Sequence, residues 1–193
     1  MDEATFWDLI DRSQAHTDDQ DERLEWLTAQ LAKRPPDDMA DFQVLLDHIR
    51  GRADTWDHWG AAHLICGGCS DDGFFYFLTW LVGLGRDRFT RIAANPDELA
   101  AILEIQELAA VDVDDWAPDD WPDWEALDYV AREAYRQLTG ESDGLDAALT
   151  VRAHEPMVTP DPEGIPWEFD VKAEIVSRLP RLSELFSERV AHG

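Results

Sequence analysis

Residues Trp56 to Gly85 read W-D-H-W-G-A-A-H-L-I-C-G-G-C-S-D-D-G-F-F-Y-F-L-T-W-L-V-G-L-G, and this stretch decides the fold. An apolar helical segment carrying Trp56, Trp59, Ala62, His63 and Ile65 runs into the Gly67-Gly68 break, with Asp54 or Thr55 placed to cap its start. Past the break, Ser70 stands at an N-cap position. Asp71 and Asp72 fill the first turn, where carboxylates meet the positive end of a helix. From there to about Leu84 the segment is apolar all round, the composition of a helix buried on every side. The spacing predicts a helix–turn–helix hairpin with a polar tip, packed by Phe74, Phe77 and Trp80.

On the N-terminal side, Asp2 or Thr5 caps a helix through Ile10, and Ser13 to Asp21 reads as a loop. Leu24, Trp26, Leu27 and Leu31 then set a helix to about Ala32, stopped by Pro35-Pro36. Asp37 and Asp38 start another, with Met39, Phe42, Leu45, Leu46 and Ile49 on its apolar stripe and Gly51 as its C-cap. Beyond the hairpin, Arg86 to Ala94 is amphipathic through Phe89 and Ile92, and Asn95-Pro96-Asp97 starts a helix over Glu98 to Leu108. Val111 to Trp124 interleaves acids, prolines and tryptophans without a helical period, so it reads as an ordered irregular loop. A helix from about Asp123 to Thr139 closes at Gly140. Glu141 to Pro166 reads as mostly coil with a short extended piece at Ala148 to Arg152, followed by a helix over Asp170 to Leu179 and a turn or two through Val190. No run alternates long enough for a sheet. The expectation is a mainly α, single-domain, bundle-like array of about eight helices over 1–193, with a helical core at 1–140 and a loop-rich C-terminal extension at 141–193 packing on it.

The 193 residues carry 42 Asp and Glu against 16 Lys and Arg, a formal charge of −26 and a sequence pI near 4.2. Such a surface repels nucleic-acid phosphate and anionic lipid, which argues against nucleic acid and membrane as partners and favours a basic protein or peptide. The start M-D-E-A-T-F-W-D-L-I-D-R has neither a basic nor an apolar signal region, and no apolar run approaches the ~18–20 residues that span a bilayer. Cys66 and Cys69 are too few and too close for a secreted disulfide framework, so a cytoplasmic location is expected.

The start M-D-E-A-T-F-W-D-L-I-D, the central W-G-A-A … G-G-C-S-D-D-x-F-x-x-F-x-x-W-L block, N-P-D-E-L-A and E-A-Y-R-Q-L-T-G together resemble the bacterial Domain of Unknown Function 4240 family over most of residues 1 to 140. The tail D-P-E-G-I-P-W-E-F-D is similar more loosely. The resemblance implies a small actinobacterial-type intracellular protein and transfers no catalytic residue. Cys69, Ser70, Asp71 and Asp72 match the family pattern. His63 and Cys66 depart from it, so chemistry resting on either would be peculiar to this chain.

Three constellations carry possible chemistry. His63-x-x-Cys66-x-x-Cys69 has ligand types suited to zinc, but only three are local, and the set equally describes buried small side chains under a glycine turn; no metal or cofactor is expected. Cys69, just before a helix start, could act as a nucleophile with His63 or His58 as base, or Asp71 and Asp72 as an acid/base pair, with Arg86 as a partner for the acids or an anion. Against this, Asp71 and Asp72 repel a thiolate and serve as helix-start acids without any ligand. Finally Trp116, Trp121, Trp124 and Trp167, set among Asp and Glu, either cover the core or form an acidic aromatic groove for cations. The favoured expectation is a binding or regulatory module for a basic protein or peptide, with Arg86 also in the binding set. The alternative is a small enzyme with a pocket at the Gly67–Asp72 turn, possibly metal-assisted. The sequence fixes no oligomeric state.

Overall fold

The hairpin forms as the spacing predicts in the computed structural model of the chain, which describes residues 1–192. Its first arm, Trp56–Cys66, starts at Thr55, whose hydroxyl accepts from the His58 N–H. It ends at Gly67, whose φ of 68° is left-handed backbone that a residue with a Cβ adopts at a penalty. The second arm, Asp71–Gly83, starts at Ser70, whose Oγ accepts from the Gly73 N–H at 3.1 Å. Phe74, Phe77, Leu78, Leu81 and Val82 along this arm are at most 1% exposed, which makes it the axis of the core.

The described residues hold twelve α-helical segments and no strand. They are α1 (Glu3–His16), α2 (Gln20–Leu31), α3 (Pro36–Arg50), α4 (Trp56–Cys66), α5 (Asp71–Gly83), α6 (Arg86–Ala94), α7 (Leu103–Ala109), α8 (Val130–Thr139), α9 (Gly144–Val151), α10 (Lys172–Arg178), α11 (Pro180–Leu185) and α12 (Ser187–His192). Helices α1, α3, α4 and α6 pack around α5, and α8 lies across α2 and α3. The structure is mainly α and forms one helical domain.

Several boundaries differ from the sequence reading, the first because a more distant partner overrides local signals. Helix α1 runs on to His16, where Ser13 to Asp21 reads as loop; Ser13 is buried and its Oγ receives the Nε–H of Arg23 at 3.3 Å. Gly51 is the C-cap of α3 as expected, with right-handed φ, and leads straight into a 3-10 turn. The Glu98–Leu108 helix is split into a 3-10 turn, Pro96–Ala101, and α7, with Ile102 extended between them. The start of the 123–139 helix is likewise a 3-10 turn, Glu125–Tyr129, ahead of α8.

The extension is richer in helix than expected. The extended piece placed at 148–152 is instead the end of α9, whose Leu145 and Leu149 are buried against the core. Asp97, buried, accepts from the backbone N–H groups of Arg181 and Leu182 and so caps α11 across the chain. Arg50 is fully buried and ties three segments together: its guanidinium donates to Asp47 at 2.5 Å, Asp128 at 2.8 Å and the Met157 carbonyl at 2.8 Å, and it lies over the Phe75 ring. His154 shares a 2.7 Å hydrogen bond with the other Asp47 oxygen. Residues 161–163 run beside Asp54 to Trp56: Asp54 accepts from the Asp161 and Glu163 N–H groups, and Trp56 N–H donates to the Glu163 carbonyl.

Candidate functional site

The glycine turn and the tryptophan loop meet in space. A Cβ on Gly67 would stand 3.7 Å from Val113, and the Trp59 indole donates to the Cys69 carbonyl at 3.2 Å, fastening the turn to α4. Between the end of α4, residues 109–113 and the C-terminal helices lies a cleft of about 690 Å³, lined by His63, Gly67, Asp112, Phe169, Asp170 and Arg189 among others. Arg189 donates to the carbonyls of Leu64 and Ile65 and its guanidinium lies 5.2 Å from the Trp116 ring. A cation is favourable there, because those carbonyls belong to the negative end of α4. Burial lowers its pKa from the ordinary arginine value.

The residues singled out for catalysis do not converge. Burial, reinforced by Asp71, pushes the Cys69 thiol up to about 12, and burial with the neighbouring Cys69 pushes Cys66 up to about 12. Both shifts disfavour a thiolate near neutrality, which counts against either cysteine as a nucleophile. Ser70 makes the cap of α5, and Asp71 and Asp72 stay exposed in its first turn. His63 turns toward the extension instead, its Nε2 3.1 Å from Asp170 and its ring 5.4 Å from that of Phe169. Among the described residues no group of three or more His, Cys, Asp or Glu is placed to hold a metal ion. Arg86 lies beyond the opposite end of α5, roughly 20 Å of helix from Asp71 and Asp72, where its backbone N–H binds Asp11. Its neighbour Arg88 pairs with Glu104.

The four tryptophans divide. Trp116 and Trp121 pack edge to face, 5.1 Å apart at 71°, with Trp116 buried and Trp121 37% exposed. Trp124 is a core residue: Arg23 stacks on it, and a Cβ on Gly83 would come within 2.5 Å of its ring. Trp167 sits on Gly60, where a Cβ would come within 2.1 Å, and meets the cleft only through its edge contact with Phe169. The acidic aromatic surface therefore contracts to Trp121 on Trp116 and the loop that holds them. Phe169, Asp170 and Arg189, which complete the cleft, escape the sequence reading because their role depends on contacts with α4 made from the far end of the chain.

Fold and site together define a mainly α protein with a cleft beside an acidic, tryptophan-bearing loop. The family follows from residues 1–137, which match the model described as Protein of unknown function (DUF4240), and the chain belongs to that family. The matched region ends inside α8, so α9 to α12 lie beyond it. Comparison with curated proteins and with solved structures gave no match.

Proposed function

We propose that the protein is a binding module for a basic protein or peptide, received on the loop from Asp112 to Asp123 with Trp121 at its centre. One observation carries this reading. The loop holds Asp112, Asp114, Asp115, Asp119, Asp120 and Asp123 and no base, and none of these carboxylates enters a salt bridge among the described residues. An exposed indole braced on a buried one supplies a rigid anchor beside a surplus of negative charge that Arg189, facing Asp112, offsets only in part, the combination that a lysine- or arginine-rich segment meets favourably.

The test is titration of an octa-arginine peptide into the protein, followed by tryptophan fluorescence. The triple variant Trp121→Ser, Asp115→Asn, Asp119→Asn should weaken binding about tenfold or more, which is about 1.4 kcal/mol. A control with two exposed acids removed elsewhere, Glu25→Gln with Glu184→Gln, should bind nearly as the parent does. Equal losses in both variants would reduce the effect to net charge and remove the loop as a site.

A further inference from the structure

A second cavity, of about 470 Å³, lies between α3, α5, α8, α9 and the segment 156–158, and it shares no residue with the Asp112–Asp123 loop. Four carboxylates line it, Asp72, Glu125, Asp128 and Asp146, against a single guanidinium, Arg132. Arg132 is already engaged, gripping Asp146 through two hydrogen bonds of 2.8 and 2.6 Å. Asp128 accepts from Arg50 and Gln43, but Arg50 also holds Asp47 at 2.5 Å, so one guanidinium serves two carboxylates. Among the described residues Asp72 has no hydrogen-bond or ion-pair partner, and Glu125 has only the phenol of Tyr129 at 3.4 Å and that of Tyr76. Asp72 and Glu125 thus line the concavity without a cation to pair with among the described residues, beside Asp128, which shares Arg50 with Asp47.

The rest of the wall is of a different kind. Tyr76 and Tyr129 present aromatic surface, and Leu149, Met157 and Val158 present apolar surface, with Val158 75% exposed. Burial and Glu125 raise both phenols above their ordinary pKa, so they stay neutral and add no charge. Asp128 is held from behind by the fully buried Arg50, which fixes its orientation before any ligand arrives. The volume falls in the range of roughly 300–1,000 Å³ typical of small-ligand sites.

We propose that this cavity binds an organic cation, an ammonium or guanidinium head carried on an aliphatic stem. The carboxylates and the tyrosine faces take the head by charge and cation–π attraction, and the apolar wall takes the stem. A neutral apolar ligand would desolvate the carboxylates without return, and an anion would be repelled. A bare metal ion is the poorer fit, because no three of the carboxylates are close enough to ligate one. The same chemistry has two sources, a lysine or arginine side chain of a polypeptide and a free aliphatic amine. The site stands independently of the tryptophan loop.

The experiment is an NMR titration of the full chain with pentylammonium, agmatine and a penta-lysine peptide, with 1-pentanol as the uncharged control. The cations are expected to shift the Tyr76 and Tyr129 resonances, with no comparable effect of pentanol at equal concentration. Asp72→Asn with Glu125→Gln, both at exposed positions, should weaken binding tenfold or more. Tyr129→Leu, which keeps apolar bulk and removes the phenol ring, should weaken it about threefold. The Trp121 triple variant should bind the small cations as the parent does, so failure of the loop reading and failure of this one are separable. A peptide that binds a hundredfold more tightly than pentylammonium assigns the site to a polypeptide side chain; comparable affinities assign it to a free amine. Equal binding of pentanol, parent-like affinity in the Asp72/Glu125 variant, or shifts confined to other surfaces would each overturn the proposal.

Discussion

Arg50 shows how a residue's role can be invisible in its neighbourhood. In sequence it ends α3, where a cation is expected simply to complement the helix's negative end. In the structure it is fully buried, and two of its partners, Asp128 and the Met157 carbonyl, lie 78 and 107 residues away. Only long-range folding brings them together, so no local spacing could reveal them. Removing one member of such a cluster strands the others as buried unpaired charge, which is costlier than never having placed them there. Arg50→Ala should therefore lower the free energy of unfolding by about 3–5 kcal/mol, measured by urea denaturation followed by circular dichroism. A loss near zero would mean that water replaces the guanidinium and the cluster is not sealed. Trp124 and Trp167 teach the same lesson in reverse: they stand among acids in sequence, yet each fills the space opposite a glycine, Gly83 or Gly60. Those glycines were the only available signal of burial, and nothing in the chain's order pairs them with the tryptophans they face.

At the scale of elements, the α4–α5 hairpin was legible because its determinants are local. The Gly67 turn closes onto the His63 carbonyl and the Ser70 cap bonds Gly73, all within a few residues, so sequence and geometry coincide. The last helices were not, because α10, α11 and α12 have seven, six and six residues and take their stability from outside themselves. The cap of α11 is Asp97, more than eighty residues upstream, and Arg189 of α12 serves the carbonyl end of α4. Ser70 offers the cleanest test of a local determinant. Ser70→Ala removes the acceptor for the Gly73 N–H and leaves that donor to water, and should cost about 1 kcal/mol in thermal or urea unfolding. Ser70→Asp, which restores an acceptor at the same position, should recover most of it. If alanine proves neutral, the exposed turn is capped by solvent and Asp71 and Asp72 carry the helix start by charge alone.

For the whole molecule the governing quantity is the excess of acid. Ten of the arginines already hold a carboxylate in an ion pair, among them Arg12, Arg34, Arg132, Arg136, Arg152 and Arg181, so the remaining carboxylates act mainly on one another. Arg50 with Asp47 is sealed from solvent, and the exposed pairs, such as Arg12 with Asp8 at 3.2 Å, are contacts much shorter than the screening length, so both are screened less than charges farther apart. Repulsion among exposed carboxylates acts over longer distances through water, where a Debye length of about 10 Å at 0.1 M salt cuts it off. Added salt therefore removes more repulsion than attraction, and compactness is the state that repulsion opposes. The midpoint of thermal unfolding should rise between about 0.02 M and about 0.5 M sodium chloride, by roughly 2–4 °C for each kcal/mol of repulsion relieved. The same change should weaken the octa-arginine complex, since that attraction is screened too. A midpoint that falls with salt would show that the ion pairs outweigh the repulsion. The surplus charge would then be balanced within the fold, and the acidic loop would have less reason to seek a basic partner.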